Sequence, residues 1–361
     1  MLHEFINMSN PYFHYMKNNI PSLIDLHEDI SLYYVSGAAG NKYPVSSFSD
    51  DLPGRDADIP KYREANVKLV FGSIAPLVYT LNSYREKSLT AGYQFKSSGI
   101  RTRSAQSIAM QHFLTYYDLE KKHGDSLKLV YNLQDIESLW TETKTGILIS
   151  MEGTEALEDA EDLNLFWRLG LRSIQINWNF DNKYAASCFS KKDYGITGEG
   201  ESLINLANEL GIIIDLAHSS ETTDIETINT SSKPVIISHT NSRHVHNHIR
   251  NVSDAVIEAL ISRNGTMGFS CIAPTLGGAE NIKSLAEHII YVYNSYGSDS
   301  ISIGTDYMGL LGLDVPDGLE NIGKLVNLWS ILIDMGMDEK DIEKVAYKNA
   351  MRVISANICK F

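Results

Sequence analysis

His27 and Asp29 stand in the stretch SLIDLHEDISL, residues 22 to 32, where a short apolar, β-prone run passes into a histidine and two acids instead of a turn. A strand alternates its faces with period two, so His27 and Asp29 project to one side and Glu28 to the other. Such a pair is either a hydrogen-bonded structural couple or two metal ligands. Four more residues of these kinds close later β-like runs: Glu152 in SMEG, His218 in DLAHSS, His239 in ISHTNSR and Asp306 in GTDY. Taken singly, a strand-end histidine is ordinarily a satisfied core group and a strand-end acid a helix cap. Six together are costly to bury without a cation. Three imidazoles and up to three carboxylates, with no cysteine, suit zinc or another divalent transition ion. Six candidates exceed the needs of one tetrahedral zinc, so two metals sharing a carboxylate is the economical arrangement. Such a centre lowers the pKa of bound water to around 7 and polarises a carbonyl oxygen, which is chemistry for hydrolysing an amide or ester.

Something must bring these residues to one place. Short apolar, β-branched runs recur at residues 22–27, 67–76, 146–153, 171–178, 211–218, 234–239, 265–272 and 301–307. Most are near-continuously hydrophobic, as parallel strands covered on both faces are. Helical patterns fall between them at 104–124, 198–211 and 253–265, the last opening on a possible N-cap, Ser253, and a further amphipathic helix covers 338–354. Eight strands alternating with helices predict an α/β fold of the (β/α)8 TIM-barrel type, whose mouth gathers the C-terminal strand ends. A doubly wound open sheet is the alternative, but no Gly-rich phosphate loop follows any of the strands. One domain over 1–361 is expected, with an N-terminal extension at 1–21, a long loop at 30–66 over the mouth and a terminal helical segment at 338–361. Long loops of that kind are usually functional.

The 361 residues are 43% hydrophobic and 21% charged, an ordinary soluble composition. A formal net charge of -14 argues against a nucleic-acid partner. Three widely spaced cysteines, Cys188, Cys271 and Cys359, suggest neither a disulfide framework nor a zinc knuckle, so a reducing compartment fits. No signal-peptide pattern and no apolar run of about 18 residues is visible, which leads to the expectation of a cytoplasmic protein without a membrane partner.

As an ordered set, IDLHED, SMEG, LGLRSIQINWN, GIIIDLAHSS, PVIISHTNSRHVHNHIRNVSD, IGTDYMG and KNAMRV resemble the renal (membrane) dipeptidase family of zinc peptidases, within the amidohydrolase-like barrels. The likeness covers about residues 22 to 354. It implies that His27 and Asp29 bind one zinc, that His218 and His239 bind another, and that Glu152 bridges them. It further implies that Asp306 is the acid/base and that Arg250 holds a substrate's C-terminal carboxylate, a bidentate task suited to guanidinium. His244, His246 and His248 read as neighbours of the mouth, not as ligands. Two departures bear on the substrate pocket. Trp178 stands where the animal enzymes have a histidine thought to polarise the scissile carbonyl, and indole offers one donor and no charge. Losing that stabiliser costs roughly 3 kcal/mol if nothing replaces it. Ile272 stands where the family often has a tyrosine, and Met308 replaces an acid. The expectation is a binuclear zinc dipeptidase acting on L-L and L-D dipeptides, a homodimer by family analogy. An amidase for N-blocked substrates and a non-catalytic zinc-stabilised barrel are the rivals.

Overall fold

A computed structural model describes residues 20–35, 45–76 and 104–360. The expected extension at 1–21 lies almost wholly outside them, as does the 36–44 part of the long loop. The strands are β1 (Leu23–Glu28), β2 (Val67–Ile74), β3 (Leu127–Leu129), β4 (Thr145–Glu152), β5 (Leu171–Gln175), β6 (Ile213–Asp215), β7 (Ile236–Thr240), β8 (Thr266–Phe269) and β9 (Ile301–Ile303). They run in the order β2-β1-β9-β8-β7-β6-β5-β4-β3, all parallel, and pairing of β2 with β4 closes the ring. Eight strands therefore form the barrel, as the sequence predicts.

β3 is the addition. It pairs with the first half of β4, Leu127 opposite Thr145 and Leu129 opposite Ile147, while β5 pairs with the second half from Ile149 to Glu152. Both strands share one edge of β4, and β3 lies outside the closed ring. Three residues reading Leu-Lys-Leu are too short to register as an apolar run.

Alternation within the strands sorts the core into two layers. Ile24, Leu69, Phe71, Leu148, Ile213 and Ile236 fill the barrel and meet Ala350, Val353 and Ile354 of the last helix (Asn349–Asn357), which plugs the end away from the mouth. Leu23, Val70, Ile147, Ile214 and Ile237 point outward into the larger cluster under the helical ring. The terminal segment is not one continuous helix: Glu339–Glu343 passes into a π-helical turn, Lys344–Lys348, before Asn349–Asn357. Asn349 Nδ2 there donates to the carbonyls of Ser298 and Ile301 at 2.6 and 2.8 Å, tying the plug to β9. Ser253 does precede a helix (Asp254–Ser262), but its hydroxyl makes no capping bond and the helix stops short of Gly265.

The 30–66 segment is more ordered than a featureless loop. It contains helices Ile30–Val35 and Ile59–Glu64, the second capped by buried Asp58, which accepts from Lys61 N at 3.1 Å. Asp58 also takes the guanidinium of Arg55 at 3.3 Å, so a buried acid anchors the end of this segment.

Two buried histidines make the fold acid-sensitive. His288, on helix Ile282–Tyr296, accepts from Ser242 N at 3.1 Å and faces the carbonyl of Leu276 at 3.0 Å; His112 is held to Ser31 Oγ at 2.6 Å. Burial pushes each from 6.5 to about 4. The unfolded chain binds protons at these rings near pH 6.5 and the folded chain only near pH 4. Stability is therefore intact above about pH 6.5 and is lost as pH falls toward 4, by at most about 3 kcal/mol per ring. Urea unfolding between pH 7 and 4 should show this loss. His288→Leu should flatten the slope while costing about 1–3 kcal/mol at pH 7 through the unpaired Ser242 amide.

Candidate metal centre

The strand ends deliver the candidate ligands by unequal routes. His27 sits inside β1 and Glu152 ends β4, while Asp29 follows β1 by one residue and donates its N–H to Tyr307 O at 2.9 Å. His239 lies within β7. His218 is different. The sequence reads 211–218 as one strand, but β6 stops at Asp215 and the chain turns through a left-handed residue, His218 itself, at φ 71°. Asp306 is likewise left-handed at φ 62°, three residues beyond β9. Such backbone is sparsely populated for a non-glycine residue and is commonly held at functional sites by its surroundings.

All six expected residues converge. His27 Nε2 lies 3.5 Å from Asp29 Oδ2, 3.7 Å from Glu152 Oε1 and 3.6 Å from Asp306 Oδ1. On the other side, Glu152 Oε1 lies 3.3 Å from His218 Nε2 and 3.8 Å from His239 Nε2, and these two nitrogens are 3.0 Å apart. The ligand atoms form overlapping triads: His27–Asp29–Glu152, Glu152–His218–His239 and His27–His239–Asp306. Each of the six is at least nine-tenths buried. Glu28, beyond the register shift that β1 makes between Asp25 and Glu28, accepts instead from the Tyr62 hydroxyl.

These donors fit a cation. Among the described residues, neither ring nitrogen of His27 has a hydrogen-bond partner, nor does Asp29 Oδ1, and all three atoms are buried. Asn179 Oδ1 is 2.6 Å from His218 Nδ1 and Ser238 Oγ is 2.9 Å from His239 Nδ1, so both rings are oriented through the nitrogen remote from the cluster. Burial, with the charges of Arg250 and His27, holds His218 and His239 well below the usual histidine range, in the neutral form that ligates. Burial and then the charge of Asp29 push Glu152 well up, and burial, opposed by His27, pushes Asp306 up to about 7. Burial is the main cause of all four directions, and neighbouring carboxylate charge adds to it for Glu152 and Asp306.

The remaining expected residues surround the cluster. Arg250 is buried, and its Nη2 donates to His239 O at 3.4 Å. Trp178 is buried, its ring 6.1 Å from the His218 ring and edge-on to Phe180 at 5.2 Å. Ile272 is half-buried against the main core cluster, just before the short helix Ala273–Leu276, and Met308 packs into that cluster with its N–H donating to Asp56 Oδ2 at 2.9 Å. His244 stacks on Tyr291, His246 pairs with His248, and none of the three joins a ligand triad among the described residues.

Sequence reasoning missed three parts of the site. Asn179 closes the motif LGLRSIQINWN, but nothing in that motif marks it as the partner of a histidine. Asp25 and Asp215 look like ordinary strand residues, although the repeated Asp-Leu before a histidine, in IDLH and IDLAH, was a signal. Gly309 was noticed only as part of a motif. A Cβ there would overlap Asp29 Oδ2 and lie 2.7 Å from Asp306 Oδ1. Gly309→Ala should therefore reduce bound metal, measured by plasma mass spectrometry after dialysis, by about tenfold or more, with little change in far-UV circular dichroism.

A closed parallel barrel with imidazoles and carboxylates clustered at the C-terminal strand ends is the architecture of the metal-dependent hydrolase barrels. The chain belongs to the family described as membrane dipeptidase (peptidase family M19), which matches residues 15–358. It is 27% identical over 239 residues to dipeptidase tcpJ of Claviceps purpurea (strain 20.1), covering 64% of this chain and 56% of that protein. It is 27% identical over 274 residues to mouse dipeptidase 3, covering 73% and 55%. The chain thus spans little more than half the length of these curated relatives. Among solved structures, a metallo peptidase from Rhodobacter sphaeroides, liganded with a phosphinate mimic of the dipeptide L-Ala-D-Ala, superposes with TM-score 0.78 at 21% identity over 94% of this chain and 99% of that one. An amidohydrolase from Pseudomonas aeruginosa gives 0.75 at 24% identity over 96% and 99%. These likenesses show the same fold.

Proposed function

We propose that the protein is a metallo-dipeptidase that hydrolyses small dipeptides, L-L and L-D, with two zinc or similar divalent ions. The observation that carries this reading is the pair of ligand triads sharing Glu152 Oε1. His27, Asp29 and Glu152 would hold one ion, and Glu152, His218 and His239 the other. Ions bound there supply Lewis-acid polarisation of a carbonyl and water acidified to a pKa near 7.

The chain's own residues would do the rest. Asp306 takes a proton from the attacking water and passes it to the leaving amine. Its carboxyl sits 3.6 Å from His27 Nε2, and a dication would draw it down from about 7 toward the base form. Arg250 binds the substrate's C-terminal carboxylate. Its buried guanidinium is within electrostatic reach of Glu152, Asp224 and Asp306 but forms no ion pair with an acid among the described residues, so an incoming carboxylate could pair with it directly. Trp178 and Phe180 form an apolar wall beside His218, with Ile272 set at the end of β8. The names of the relatives, and the dipeptide mimic held by the Rhodobacter protein, support the substrate class.

A dipeptide panel with L-L, L-D and N-acetylated members, assayed on zinc-loaded protein, tests the reading. Turnover of free dipeptides supports it. The apolar Trp178 wall favours a second reading, an amidase for blocked peptides, and turnover confined to N-acetylated members would select it. A cytoplasmic location is supported by three unpaired cysteines, and no helix among the described residues is long and apolar enough to cross a membrane. The proposed homodimer rests on family likeness and is tested by light scattering.

A further inference from the structure

Two ladders of the barrel are much shorter than the rest. β1 and β9 register at a single pair, Asp25 opposite Ile303, before the two chains meet again at the isolated bridge Glu28–Tyr307, and β6 and β7 register at a single pair, Asp215 opposite Ile236. These are the seams that must hold the metal-binding ends in place. His27 and Asp306 leave the first seam, His218 and His239 the second. Two of the left-handed residues, His218 and Asp306, each come three residues after a seam strand ends.

At each seam a fully buried aspartate does the same thing. Asp25 Oδ1 accepts from the N–H two residues on, His27, at 3.1 Å, and from the N–H of Thr305, the residue before Asp306, at 2.9 Å. Its Oδ2 accepts from Thr305 Oγ1 at 2.6 Å. Asp215 Oδ1 accepts from the N–H two residues on, Ala217, at 3.0 Å, and from the N–H of Ser238, the residue before His239, at 2.8 Å. Its Oδ2 has no hydrogen-bond partner among the described residues. In both cases one carboxylate oxygen takes amides that the ladder leaves, at the first seam between Asp25–Ile303 and the later bonds of Asp306 N to His27 O and Asp29 N to Tyr307 O, at the second just beyond Asp215–Ile236, and it links two strand ends. A buried carboxyl is an expensive way to satisfy two amides unless the geometry it fixes matters.

We propose that Asp25 and Asp215 are positioning residues, each clasping one half of the metal centre: Asp25 the His27 side and Asp215 the His218–His239 side. The inference rests on the two-ion reading above. Neither residue belongs to a ligand triad among the described residues, so the prediction concerns which ion is lost. Partners behind a ligand typically change metal affinity by about 10–100-fold.

The test titrates metal-free protein with cobalt(II), following visible absorbance and the hyperfine-shifted imidazole N–H signals by NMR. Wild type should take up two equivalents. Asp215→Ala should keep one and weaken the other about 10–100-fold, with the His218 and His239 signals lost. Asp215→Asn keeps Oδ1, the only oxygen in use, and should restore both. Thr305→Val leaves the backbone and both carboxylates in place, and it should weaken the ion on the His27 side alone, so the proposal stays testable if the alanine variant does not fold. Uptake of two equivalents with wild-type affinity in both Asp215→Ala and Thr305→Val overturns the clasps, as does equal loss of both ions in either. A wild-type protein that takes up one equivalent ends the two-ion reading, and the division into halves with it.

Discussion

Asp306→Asn should lower kcat on dipeptides by roughly two to four orders of magnitude while the bound metal stays at its wild-type level. The substitution is nearly isosteric, and asparagine tolerates the left-handed backbone that position 306 adopts, at φ 62°, better than most residues do. The main-chain bonds around it, Asp306 N to His27 O at 3.1 Å and Gly309 N to Asp306 O at 3.2 Å, do not involve the side chain. What disappears is the ability to take up and release a proton. The outcome is informative because Asp306 also belongs to a possible ligand triad with His27 and His239. Metal analysis beside single-turnover rates separates the two roles. Full metal with slow turnover supports an acid/base; loss of an ion makes Asp306 a ligand, and near-normal turnover with full metal removes it from the chemistry.

The barrel was legible because parallel strands buried on both faces leave long apolar runs, and each run from 22–27 to 301–307 contains a real strand. Their ends were less legible. The run 211–218 looks uniform, yet only Ile213–Asp215 pairs as β6, because hydrophobicity does not reveal where Asp215 begins to bond to amides of the next strand. His218 reached the cluster through a turn that the sequence hides. β3 escaped notice because three residues carry too little periodicity. The six site residues were readable as types at strand ends, and the barrel rule supplied their convergence. Distances, ring orientation through Asn179 and Ser238, and the pressure of Gly309 against two carboxylates depend on side-chain placement. Short-range patterns do not encode these. Nor does composition separate Asp25 and Asp215 from any acid in an apolar run; only their partners across the seams do.

Glu152→Gln should abolish measurable dipeptide hydrolysis by removing both ions at once, unlike the one-sided loss expected from the seam variants. Among the described residues Glu152 Oε1 is the one carboxylate oxygen within 4.0 Å of all three imidazoles, so neither of the two proposed ion sites is complete without it. An amide keeps the shape but offers a neutral, weaker ligand to a hard dication and presents an N–H₂ to the lone pairs opposite. The effect on stability should run the other way in metal-free protein. Burial and the neighbouring Asp29 charge already push the Glu152 carboxyl well above its ordinary range, so an uncharged side chain relieves that strain and the variant should unfold no earlier than metal-free wild type. Zinc at about a thousand times its Kd should stabilise wild type by about 4 kcal/mol and the variant hardly at all. Calorimetry of both proteins with and without zinc reads the two effects separately. A variant that still gains wild-type stabilisation from zinc would show that the triads bind metal without their shared carboxylate, and the bridging role would pass to Asp29 or Asp306.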